Sequence, residues 1–267
     1  MSYIYDMRKI RSGLLLLCLV LVAAACRKLP DPVAATLPPI DHGGIEAPGF
    51  RVQFTPTVSG VPLVMDSAWY RNAAGDSFRV SEHKYYVSNF VLHSADGATI
   101  PLPETYFLVD ARSVRPRGIR AVPPGTYNRI SFLLGVDSAR NVSGAQTGDL
   151  EQSKGMFWDW DAGYIMAKTE GQSPQSVLSG GVFYFHITGF AGKYNALRTV
   201  TLDLPMPLEV KAGTQPTLQL QSDLASWFSG PSPFGFADFS SVMVPGPQAA
   251  AIADNYSKGI RVVRIDP

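Results

Sequence analysis

The residues able to do chemistry beyond packing are few: four histidines, two cysteines and a run from Gly155 to Tyr164 that holds two of the four tryptophans. In that run, Gly155-Met156-Phe157-Trp158-Asp159-Trp160-Asp161-Ala162-Gly163-Tyr164, the two tryptophans stand two apart, so on a strand both indoles share one face. Indoles are the most oxidisable aromatic side chains, so one reading of a paired, partly exposed set is a substrate for enzymatic modification. The other reading is an aromatic plug closing one end of a β-sandwich, each indole burying up to about 200 Å² and wanting a partner for its N–H. Asp159 and Asp161 alternate with aromatics in a loop, the pattern of solvated carboxylates rather than of an acid–base pair.

A metal site built from histidines needs imidazoles converging on one point. His83 and His93 have the same parity on one apparent strand, but ten residues at about 3.3 Å each separate them by about 33 Å, so they cannot share a metal along a straight strand. His42 ends a Pro-rich stretch and reads as solvated. His186 lies between Phe185 and Ile187 in an aromatic strand, either as a hydrogen-bonded core residue or as a ligand. No P-loop, dinucleotide glycine fingerprint, nucleophile elbow, His-Glu-x-x-His or Cys-x-x-Cys occurs, so a hydrolytic or nucleotide-dependent enzyme is not expected.

Cys26 belongs to a different chemistry. Arg8, Lys9 and Arg11 precede an apolar run from Leu14 to Ala25, far too short at 1.5 Å per residue to cross about 30 Å of hydrocarbon. A basic segment, a short apolar segment and small residues form an export signal, and here Ala23, Ala24 and Ala25 run directly into Cys26. This resembles a bacterial lipobox, with Ala23 where Leu is usual, and implies cleavage before Cys26 and diacylation of its thiol, two chains being enough for stable anchoring. The alternative is ordinary cleavage, with Cys26 a stray residue. Cys18 lies within the discarded segment, so the lipidated chain has neither a free thiol nor a disulfide. The expected organisation is a signal peptide over residues 1–25, a lipidated Pro-rich tether over 26–49 and one domain over 50–267. The location this implies is the cell envelope, on the outer membrane, with the face left open.

The elements that must position these residues are mostly strands. Alternating or aromatic-rich segments run over Phe50–Val58, Ser77–His93, Thr105–Asp110, Tyr127–Val136, Tyr164–Thr169, Gly181–Thr188, Arg198–Leu204 and Thr217–Gln221. Asp96-Gly97, Pro124-Gly125 and Gly180-Gly181 mark turns, and Pro205 and Pro207 confine their neighbourhood to a strand end or sheet edge. Two short helices are expected near the C-terminus: Asp223–Phe228 capped by Ser222, and Gln248–Tyr256 after Pro247, ending near Gly259. The fold class is all-β, an antiparallel β-sandwich. With 23 basic against 22 acidic residues there is no basic field to hold phosphate backbones, so nucleic acid is not an expected partner.

An ordered set of stretches spans roughly residues 50 to 256. It runs Lys84-Tyr85-Tyr86-Val87-Ser88-Asn89 with Asp96-Gly97, Tyr106-Phe107-Leu108-Val109-Asp110, Pro124-Gly125-Thr126-Tyr127, Leu134-Gly135-Val136-Asp137-Ser138, the tryptophan run, Phe185-His186-Ile187-Thr188-Gly189-Phe190 and Ala253-Asp254-Asn255-Tyr256. In these the chain resembles the MbnP family of bacterial exported copper-binding proteins, many of them lipoproteins of Bacteroidetes. The resemblance implies a β-sandwich that binds one copper ion, in some members through histidines and a kynurenine made from Trp by a di-haem partner of the peroxidase-like MbnH type. His186 matches the family's histidine before the Gly-Phe turn, and Trp158 and Trp160 match its Met-x-Trp-x-Trp stretch, with the modified Trp left unassigned. Where many members carry a His after the first strand's Phe, this chain has Phe54-Thr55-Pro56-Thr57, and its tail is Arg261-Val262-Val263-Arg264-Ile265-Asp266-Pro267 rather than His-rich. Two functions follow: a lipid-anchored copper-binding protein, or a degenerate metal-free member acting as a surface binding or interaction module.

Overall fold

The computed structural model describes residues 47–159 and 162–267. The signal segment, the tether with Cys26 and His42, and Trp160 lie outside the described residues.

Two sheets enclose the main core. The first is five-stranded, in the order Ile260–Asp266, Thr217–Asp223, Gly49–Val58 and Val61–Pro62, with Arg117–Arg120 also paired to Gly49–Val58. The second is eight-stranded, in the order Arg198–Val210, Gly125–Leu134, Ser77–Ser94, Ala167–Gln172, Val182–Ile187 and Ser241–Val242, with Tyr70–Arg71 and Thr99–Asp110 also paired to the long Ser77–Ser94 strand. Strict alternation puts Phe50, Val52 and Phe54 of the first sheet inward, where Phe54 meets Tyr85 and Phe132 of the second edge-to-face. The expected sandwich is therefore present, and two of its pairings are parallel: Gly49–Val58 with Thr217–Asp223, and Val182–Ile187 with Ser241–Val242.

Several local expectations are refined. Arg198–Val210 is an edge strand, as Pro205 and Pro207 require, and its register shifts between Asp203 and Leu208 because proline has no N–H for the ladder. The C-terminal residues form the edge strand Ile260–Asp266. Pro247–Tyr256 is helical with Pro247 in its first turn. The helix expected from Asp223 begins later, at Ser226, because Ser222 and Asp223 stay in the ladder of the first sheet. Ser222 is thus a strand residue, and its hydroxyl accepts from Tyr85 rather than capping a helix. A third short helix, Ser138–Asn141, is capped by Asp137, whose side chain accepts from the Arg140 backbone N–H. Among the described residues no helix is long and apolar enough to cross a membrane.

The long strand does not keep one parity. Phe78 and Val80 face the core, then His83, Tyr85 and Val87, then Phe90 and Leu92. Ser81 is one extra residue, left without a partner where the register against Ala167–Gln172 shifts. Asn89 is the other, at φ +50°, a left-handed conformation that Asn tolerates. The shared parity expected for His83 and His93 is overturned by the bulge at Asn89, which sends them to opposite faces of the sheet.

Candidate functional site

The tryptophan run folds as a two-stranded hairpin, Phe157–Asp159 against Gly163–Tyr164, lying over the outer face of the second sheet. It rests on a small cluster of its own, in which Tyr86, Val136, Leu150, Met156, Tyr164, Ile165 and Met166 are buried and Phe157 packs alongside. Polar contacts fasten the base of the hairpin. Asn141 accepts from the Tyr164 backbone N–H at 2.8 Å, and the Tyr164 hydroxyl donates to the Leu150 carbonyl at 2.7 Å. The Asp159 carboxylate accepts from the Ala162 N–H at 2.6 Å. Gly163 sits at φ +72°, and a Cβ there would run into the Asn141 carboxamide, so this position requires glycine on two counts. Trp158 is therefore no plug at the end of the sandwich; it is 41% exposed.

Under the hairpin lies His186, on the strand Val182–Ile187, only 6% exposed and with its ring centroid 5.4 Å from that of Trp158 in an edge-to-face arrangement. Its neighbours in sequence, Phe185 and Ile187, point the other way into the main core. The structure thus brings together His186 and Trp158, 28 positions apart in the chain. His186 Nε2 lies 2.7 Å from Glu170 Oε1, while its Nδ1 is buried without a hydrogen-bond partner. Thr188, two residues further on, also buries an unpartnered hydroxyl.

Glu170 is one member of a charged ladder. Lys168 stands opposite Lys84, and Glu170 opposite Glu82, pairings that are unfavourable on their own. They are offset by contacts of opposite sign: Lys168 Nζ lies 3.2 Å from Glu82 and 3.3 Å from Glu170 Oε1, and Lys84 Nζ 2.8 Å from Glu82. Burial works to raise the Glu82 carboxyl, but hydrogen bonding to Lys84 and the charges of Lys168 and Lys84 bring it below its ordinary range. For His186, burial lowers the pKa and Lys168 adds to this, outweighing the opposing Glu170 contact. The ring is thus held toward its neutral form, in which one nitrogen carries a proton and the other a lone pair.

The remaining histidines go elsewhere. His83 is in the main core, its Nδ1 2.8 Å from Thr169 Oγ1 and its ring against Tyr85 and Trp227; burial pushes its pKa down to about 4. His93 Nε2 pairs with Ser131 Oγ at 2.9 Å. Among the described residues no three His, Cys, Asp or Glu side chains are arranged to hold a metal ion. The orphaned Nδ1 of His186 fits copper as one imidazole donor, whereas the unmodified indole of Trp158 donates through N–H and ligates nothing. Sequence reasoning missed Glu170 and Lys168; the alternation of polar residues at 168, 170 and 172 is the signal that marks them as one face of a strand.

The model of the MbnP family matches residues 47–244. No curated protein matches the chain. Among solved structures, MbnP from Methylosinus trichosporium is similar in fold, with a TM-score of 0.52 and 17% identity over 76% of this chain and 86% of that one.

Proposed function

Since the chain belongs to the MbnP family, we propose that it is an exported, lipid-anchored copper-binding protein whose centre is the Trp158–His186 pair. The observation that carries this reading is the 5.4 Å edge-to-face contact between a histidine with a bare, buried ring nitrogen and an oxidisable, half-exposed indole. Trp158 is the residue to be modified, by a di-haem partner of the MbnH type acting with peroxide as oxidant. Two equivalents of peroxide cleave the indole C2–C3 bond, leaving both added oxygens on the product and releasing water. Hydrolysis then removes formate, leaving kynurenine with a free aryl amine and a ketone. His186 and the modified Trp158 would hold copper, which supplies a redox-active, nitrogen-preferring cation there. The role is binding rather than catalysis.

The exposure of Trp158 leaves the indole open to an oxidant. Asn141, Gly163 and Tyr164 keep the hairpin over His186, and the ladder keeps that ring in place. Cys26 supplies the anchor, so Cys26→Ser should move the protein from the membrane to the soluble fraction after a carbonate wash and remove the acyl mass. Identical fractionation of the two proteins would remove the anchor from the reading.

The second reading, a metal-free binding module of the envelope, is favoured by one observation: no third imidazole, thiolate or carboxylate joins His186 and Glu170 as a metal-binding set among the described residues. Copper titration of protein purified from its own host, compared with unmodified recombinant protein, separates the two. His186-dependent uptake by the host protein alone supports the copper reading, and uptake by neither supports the module.

A further inference from the structure

A carboxylate accepts hydrogen bonds and has no proton to give, so the 2.7 Å contact between His186 Nε2 and Glu170 Oε1 places the imidazole proton on Nε2. The lone pair of the neutral ring is then on Nδ1, the atom that is buried and unpartnered. Glu170 is itself held in place. Its strand is paired on both sides, Glu170 standing opposite Glu82 on one side, next to the bulge at Ser81, and opposite Tyr184 on the other. The Lys168 ammonium lies 3.3 Å from the same oxygen that His186 meets. Lys168 is in turn shared with Glu82, and Glu82 with Lys84.

We infer that Glu170 is the positioning residue of this site: it fixes His186 as the Nε2–H tautomer and so makes Nδ1 the atom offered to a metal cation. This rests on the reading of His186 as a ligand. The ligand–imidazole–carboxylate order is the arrangement by which proteins commonly fix ring orientation and raise ligand basicity, and loss of such a partner typically weakens metal binding by about 10- to 100-fold. Metal would not reach the ring through Nε2, because that atom is engaged with the ladder.

The test begins without metal. Long-range ¹⁵N–¹H spectra of the full chain labelled at histidine, with the His186 signals assigned by their loss in His186→Ala, report the tautomer directly. The expected result is a protonated, pyrrole-type Nε2 and a bare, pyridine-type Nδ1. In Glu170→Gln, whose carboxamide can either accept or donate, this bias should weaken or invert, and in Glu170→Ala it should vanish. A wild-type ring protonated on Nδ1, or an unchanged tautomer in both variants, overturns the inference. In a second arm, copper alone is titrated into host-purified protein, where Glu170→Gln should bind roughly 10- to 100-fold more weakly; equal affinity also overturns the positioning role. If neither protein takes up copper while the tautomer is as expected, Glu170 keeps its role and the copper reading fails.

Discussion

The sandwich core and the small cluster on the outside of the second sheet bury similar side chains to different ends. The core is built from ring-on-ring contact: Phe183, Phe185, Phe228, Phe234 and Phe236 pack against one another at centroid separations from 4.8 to 6.3 Å, with few polar atoms among them. The outer cluster is tied by directional bonds. The Tyr86 hydroxyl donates to the Asp149 carbonyl, the Tyr164 hydroxyl to Leu150, and Asn141 bridges the Tyr164 N–H to the carbonyls of Val136 and Asp137. Area burial is non-directional and sets how firmly the chain folds. Hydrogen bonds contribute less but fix orientation, which is what a hairpin carrying Trp158 over His186 needs.

The sharpest break of this contrast is in the core. Phe185→Ala removes a fully buried ring and should cost about 3–5 kcal/mol in urea unfolding. A loss below about 1 kcal/mol would mean that the core does not bear the stability assigned to it.

Next in size is the pH response of the buried histidine. His83 is held at about 4 in the folded chain against an ordinary value of 6.5, so between these values the unfolded chain binds more protons. Its contribution is fully present above about pH 6.5 and lost as pH falls toward 4, a loss of about 3 kcal/mol. His83→Gln should flatten the dependence of unfolding free energy on pH in that window, and parallel curves for variant and wild type would contradict the assignment.

Asn141→Ala tests the other region. It leaves the Tyr164 N–H without its acceptor and should cost about 1–3 kcal/mol. Its distinguishing effect is on geometry: Trp158 fluorescence should become more accessible to a soluble quencher while the pH response of His83 stays unchanged. Equal disturbance of both regions would show that they are one unit.

Much of the core was legible from sequence because alternation such as Phe50, Val52, Phe54 is a local signal. The bulges at Ser81 and Asn89 were not, since one extra residue leaves the composition of a strand unchanged while reversing which face each side chain takes. The parallel partner of Gly49–Val58 is supplied by residues 217–223, and nothing local to either strand announces that pairing. Of the site, His186 and Trp158 could be picked out singly by residue type and family resemblance. Glu170 becomes meaningful only through a cross-strand contact, which a linear reading does not contain.

Mass spectrometry of the protein purified from its own host, intact under native conditions and then as peptides, tests the central claim most directly. The account predicts the mass of kynurenine at Trp158, with bound copper that is lost in His186→Ala. Intact indoles and no copper in the host-purified protein would contradict it.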